Sequence, residues 1–394
     1  GIRRCGKSYM LNNLFYNYLI EDGVKDDHII KLALDREENV EYHDSKKLNK
    51  YILSQIKDDD IYYVLIDEIQ LADGFEFVLN GLLYEKNIDV YVTGSNSRFL
   101  SSDIITEFRG RGDEVRIYPL SFAEFVNAYD GDRYEAWNEY ITYGGMPLIL
   151  RQHTDEQKSR YLMSLYDLTY KKDIVDRNSI DKPDILDTLI NILASSVGSL
   201  TNPQKIYNTF ISNGITDISK NTIISNTYQF LVYLSFLLDS FLIEKAQRYD
   251  VKGKKYIQTP QKYYFADIGL RNAKLNFRQQ EENHIMENII YNELLIRGYN
   301  VDVGVVEVRE DNARKQLEVD FVCNQGSKRY YIQSALNLDT EEKTLQETKS
   351  LNNIGDNFKK IVVVKDNIKL WRNDAGILII GIQEFLLNKN SLDL

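Results

Sequence analysis

Cysteine is almost missing from this chain, with only Cys5 and Cys323 among 394 residues. Two thiols build neither a disulfide framework nor a cysteine-based zinc site, which fits a reducing, cytoplasmic setting. Proline is also scarce, at 5 residues, so long proline-rich linkers are excluded. Long apolar runs are lacking too. Phe230 to Ile243 is the longest, and Asp239 interrupts it well short of a bilayer span, so no membrane association is expected. Positive charge is in deficit: 48 Lys and Arg face 59 Asp and Glu, for a net charge of −11. This excludes a generally basic nucleic-acid coat but leaves room for a local basic patch.

What is present describes a folded, multidomain chain. Apolar residues at 43% and charged residues at 27% are ordinary globular values, and the length calls for two or three domains.

The first eight residues, Gly1-Ile2-Arg3-Arg4-Cys5-Gly6-Lys7-Ser8, spell G-x-x-x-x-G-K-S, the phosphate loop of P-loop NTPases. Its glycines let backbone N–H groups crowd around a triphosphate. Lys7 is placed to reach the β- and γ-phosphates, and Ser8 to hold Mg²⁺. The helix that follows turns its N-terminus toward the anion, so Gly1 through Tyr9 are the candidate ATP-binding residues. The motif opens at residue 1, so we expect the strand that normally precedes it, and any targeting segment, to lie upstream.

Ile61 to Ile66 is a continuous apolar run, as in a strand buried on both faces, and it ends in Asp67-Glu68. This is the Walker B pattern. Asp67 is the candidate second Mg²⁺ holder, and Glu68 the candidate base that polarises the attacking water. Ile88 to Thr93 reads as a neighbouring strand leading into Gly94-Ser95-Asn96-Ser97. A polar residue there could sense the γ-phosphate: Ser95 first, with Thr93 and Asn96 as rivals. Leu100 to Phe108 reads as a helix running into Arg109-Gly110-Arg111, where Arg109 or Arg111 is the candidate arginine finger. Val115 to Tyr118 reads as one more strand.

These motifs, with Pro119-Leu120-Ser121-Phe122-Ala123-Glu124-Phe125 and Tyr143-Gly144-Gly145-Met146-Pro147, resemble the bacterial and archaeal AAA-type ATPases that carry a C-terminal DUF4143 domain. The resemblance spans almost the whole chain. It implies an α/β P-loop NTPase of the additional-strand catalytic-glutamate type with a helical lid. It also implies ATP and Mg²⁺ as cofactors, without a settled physiological role or oligomeric state, so a homo-oligomer stays open.

Downstream, two helices around 204–211 and 222–238 precede strand-like Phe241–Arg248 and Tyr256–Phe265, the order of a winged helix-turn-helix. Between them and just beyond lie Lys245, Arg248, Lys252, Lys254, Lys255, Lys262, Arg271, Lys274 and Arg278, against Asp250 and Asp267. This basic excess is a candidate DNA contact, or else a solvated edge that blocks strand pairing. From Ile285 a helix with Glu287 and strands with Asp320 follow the PD-(D/E)xK nuclease order, in which carboxylates hold Mg²⁺ and a lysine orients water. The closing E-x-K, however, reads Gln333-Ser334-Ala335. A neutral amide is a poor Mg²⁺ ligand, and alanine carries no charge, so this nuclease-like domain is expected to be inactive. Asp320 could then pair with Arg314 or Lys315. The expected division is 1–120 ATPase core, 121–180 helical lid, 181–280 winged-helix-like segment and 281–394 DUF4143-type, PD-(D/E)xK-like α/β domain.

Overall fold

The structure is a computed structural model that describes residues 1–94, 111–212, 223–278, 281–310 and 313–394. It divides into two compact units, Gly1–Tyr118 and Pro119–Leu394.

The first unit holds a three-stranded parallel sheet in the order β1 (Ile29–Ala33), β2 (Tyr62–Asp67), β3 (Ile88–Val92). β2 is the middle strand, paired on one side as Ala33 to Asp67 and on the other as Ile66 to Val92. A central parallel strand buries both faces, and Val64, Leu65 and Ile66 are fully buried. The helix Ser45–Gln55, capped by Asp44 accepting from the backbone of Lys46 and Lys47, and the helix Phe75–Leu82 cover the sheet. Leu48, Ile52, Phe75, Val78 and Leu82 close this core over Leu32, Val64 and Ile66. Each such side chain contributes roughly 1.5–3 kcal/mol by leaving water. The strand expected at Val115–Tyr118 is not formed.

The second unit carries an eight-stranded mixed sheet. Its central antiparallel strands are β6 (Asn300–Glu310), β7 (Ala313–Gln325) and β8 (Lys328–Ala335). Beyond β8, the parallel β9 (Lys359–Val364) and β11 (Leu378–Gly381) are followed by the short edge strand β10 (Trp371–Arg372). On the other side of β6 comes the hairpin of β4 (Ile243–Asp250) and β5 (Lys255–Phe265). The hairpin read from sequence as a wing is thus part of the same sheet as the C-terminal strands. Only the Arg248–Asp250 end of β4 pairs with β6, and within the hairpin the β4–β5 register slips between Ala246 and Arg248. The other end of β4 stays paired with β5, whose Phe265 N–H donates to Asn288 of the helix Glu282–Ile296 at 2.8 Å.

Helices make up the rest of this unit. Ser121 opens the helix Phe122–Ala128 with a capping box closed by Glu124. The helix Arg133–Tyr143 ends at Gly144, whose φ of 72° suits glycine. Gly145 then donates its N–H to the buried Asp267 at 2.7 Å. A Cβ on Gly145 would meet the Leu120 carbonyl at 2.2 Å, so the Gly-Gly pair marks a close backbone crossing. No described helix is long and apolar enough to cross a membrane.

Candidate functional site

The phosphate loop wraps tightly on itself. Arg4 and Gly6 both have positive φ, 62° and 108°, a backbone path that turns successive N–H groups to one side. Ile2 and Cys5 are buried beneath the loop, whereas Arg3, Arg4, Ser8 and Tyr9 face solvent. Lys7 is 9% exposed, and its ammonium donates to the carbonyls of Gly1 at 3.0 Å and Ile2 at 2.8 Å. Burial lowers its pKa, opposed by Cys5, Glu68 and Asp67. A buried ammonium bonded to neutral carbonyls is under-compensated, which suits a lysine waiting for an anion. The helix then runs from Lys7 through a π-helical turn at Met10–Phe15 to Glu21.

The Walker B carboxylates sit at the C-terminal end of the central strand, the ligand-binding edge of an open parallel sheet. Asp67 is buried at 4% exposure. One of its oxygens accepts from the Thr93 hydroxyl and the other from Asn12 Nδ2 at 3.4 Å. Glu68 leaves the strand in the left-handed conformation, φ 55°, with its N–H donated to Thr93 Oγ1 at 3.2 Å. Its carboxylate accepts from Gln70 Nε2. Thr93, directly after β3, therefore bridges the two acidic residues and aims Asp67.

The structure thus brings Lys7, Asp67 and Glu68 into one electrostatic neighbourhood. Ser95, Asn96 and Arg109 lie outside the described residues. Arg111 is exposed and stacks over Tyr84, 5.5 Å from the ring centroid. Sequence reasoning missed Asn12. Its signal was there: it stands four residues after Ser8, on the same helical face.

The basic run of the second unit needs correction. Lys262 and Arg271 are buried, and Lys274 pairs with Asp187 at 2.8 Å, so these three are unavailable to a phosphate backbone. Lys245, Lys252, Lys254, Lys255 and Arg278 are exposed. Asp320 does not pair with Lys315, which binds Glu310; it faces Lys262 at 3.5 Å.

A phosphate loop with a Walker B Asp-Glu pair at the edge of a parallel sheet defines a P-loop nucleotide-binding protein. Comparison with known proteins specifies it further. Residues 1–126 match the AAA domain model AAA_14, residues 134–281 the domain of unknown function DUF8612, and residues 282–385 the domain of unknown function DUF4143. An uncharacterised protein of Haemophilus influenzae is 34% identical over 98% of this chain and 93% of its own length. Another, from Methanocaldococcus jannaschii, is 29% identical over 87% of this chain and 75% of its own. The chain belongs to the family of AAA-type P-loop ATPases with a C-terminal DUF4143 domain. Among solved structures, a Vibrio cholerae protein aligns with 93% of this chain and 97% of its own. That match is 13% identical with a TM-score of 0.22, too low to carry an argument.

Proposed function

We propose that this protein binds ATP with Mg²⁺ and hydrolyses it, with the C-terminal domains responding to the nucleotide state. The observation that carries this reading is the convergence of Lys7, Asp67 and Glu68 at one sheet edge, with Thr93 holding both acids. The donor set fits: a hydroxyl at Ser8 and a buried carboxylate at Asp67 are hard oxygen ligands of the kind Mg²⁺ takes. Bound Mg²⁺ neutralises charge on the phosphate oxygens. Lys7 exchanges its carbonyl partners for phosphate. Glu68 accepts the proton of the attacking water. Arg111 or Arg109 supplies positive charge once a rearrangement brings it to the site. In this reading residues 1–120 are the catalytic core, 121–180 a lid, and the 181–280 and 281–394 segments the parts that respond.

Steady-state phosphate release with Mg·ATP tests the proposal. Glu68→Gln is expected to lower the rate by about 10²-fold or more while nucleotide still binds, and Lys7→Ala to abolish both. Equal release from all three proteins overturns it.

A second reading makes the protein a slow, nucleotide-switched module that binds DNA. What favours it is the exposure of Lys252, Lys254 and Lys255 together at one hairpin turn. DNA affinity that falls steeply with salt and differs between ATP and ADP supports this; no affinity at low salt removes it.

A further inference from the structure

The C-terminal unit contains a second carboxylate cluster, and a lysine sits inside it. Glu287 projects from the helix Glu282–Ile296, Glu318 and Asp320 from β7, and Lys262 from β5, on the half of the hairpin outside the β4–β6 pairing. The Lys262 ammonium lies 2.8 Å from Glu287, 2.7 Å from Glu318 and 3.5 Å from Asp320. It has three N–H donors and three carboxylates to receive them. The Lys262 side chain is 3% exposed, and those of Glu287 and Asp320 are 12% and 10% exposed. Tyr264 adds a hydroxyl hydrogen bond to Glu287 at 2.6 Å, and the Ser334 N–H one to Asp320 at 2.9 Å.

Glu287 and Asp320 are the residues that sequence order placed at the metal position of a nuclease-like domain. Here a nitrogen cation stands between them. Its spacings of 2.7–3.5 Å are hydrogen-bond distances, longer than the roughly 2.0–2.6 Å of Mg²⁺ or Ca²⁺ to oxygen. Gly198 has φ +70°, and a Cβ there would fall 3.1 Å from Glu287 Oε1. Backbone therefore packs closely against Glu287, while the Glu318 side chain stays 35% exposed. Burial alone would lower the pKa of Lys262, but Glu287, Asp320 and Glu318 raise it instead, so the lysine is charged at any physiological pH.

We infer that Lys262 is the resident cation of this site, a built-in replacement for a divalent metal, so that the C-terminal domain works without metal and without phosphodiester cleavage. The lysine also latches the free end of the β4–β5 hairpin onto the helix and β7. The metal chemistry is latent: once the ammonium is removed, the three carboxylates are left to a cation from solution.

Terbium luminescence without nucleotide tests this, because Tb³⁺ takes the flexible oxygen coordination of Ca²⁺ and Tyr264 stands beside the site to sensitise it. Lys262→Met is expected to bind one more Tb³⁺ per chain than the unaltered protein, displaceable by Ca²⁺ and lost again in Lys262→Met/Asp320→Asn. A folded Lys262→Met protein that gains no ion overturns the inference. Should Lys262→Met fail to fold even with Ca²⁺ present, Asp320→Asn in the lysine-containing chain decides. An unchanged ion count is expected; a count lowered by one shows a metal bound beside the lysine and overturns it.

Discussion

Two buried lysines among carboxylates, Lys7 and Lys262, invite comparison. Lys7 donates to two carbonyls, and its pKa is lowered because burial outweighs the charges of Glu68 and Asp67. Lys262 donates to three carboxylates, and its pKa is raised because their charges outweigh burial. The difference separates a cation kept for a ligand from a cation kept for the fold. A binding lysine must stay under-compensated in the empty state, or it has nothing to offer an anion. A latch must be saturated, or its burial is unaffordable.

The contrast breaks first under substitution. Lys262→Met leaves three carboxylates, two of them buried, facing each other without a cation, and a loss of about 3–5 kcal/mol is expected in urea unfolding. Lys7→Met removes a buried charge that no carboxylate neutralises directly, so its effect on unfolding is expected within about 1 kcal/mol, although nucleotide binding is lost. Equal destabilisation by the two variants would dissolve the comparison.

The next effect concerns acid. Asp267 is fully buried, and desolvation lifts its pKa from 3.8 to about 6, against the hydrogen bonds of Gly145, Leu270 and Gly269. The folded chain thus holds a proton between about pH 4 and 6 that the unfolded chain has released. Its contribution to stability is largest at the acid end, declines as pH rises through that window and is level above it. Asp267→Asn is expected to remove roughly 2 kcal/mol of that slope, measured as the change in unfolding free energy between pH 4.5 and 7 relative to the unaltered chain. An unchanged slope contradicts it.

Within the nucleotide site, Thr93→Val deletes the hydroxyl that joins Asp67 to Glu68. An outer partner of a metal-holding carboxylate typically contributes 10–100-fold, and a loss of about tenfold in the Mg²⁺ dependence of phosphate release is expected. ATP binding without Mg²⁺ should stay intact, which separates aiming from folding. The smallest effect is Ser121→Ala. It opens the capping box with Glu124 and is expected to cost about 1 kcal/mol of stability, with phosphate release unaltered.

Much of this was legible in linear order. Ile61–Glu68 announced a doubly buried strand ending in chemistry, and β2 is central and buried as such a run requires. Val115–Tyr118 forms no strand although β-branched and aromatic residues favour one, because a strand needs a ladder partner and no described strand pairs with it. The lysines of 245–278 were read as one patch because sequence counts charge without direction. Folding turned Lys262 inward to three acids and Lys274 to Asp187, leaving the hairpin tip exposed with Lys245 and Arg278 apart from it.

The sequence by itself determined the local devices: the Gly-rich loop with Lys7 and Ser8, the acidic end of the central strand, the caps at Ser121 and Thr154. Each depends on neighbours within a few residues, where backbone geometry and residue type suffice. Tertiary structure alone decided the partners of distant charges. Thr93 reaches Asp67 across 26 positions and Lys262 reaches Asp320 across 58. Whether a buried cation waits for a ligand or locks the fold depends on which carboxylates the packing delivers to it.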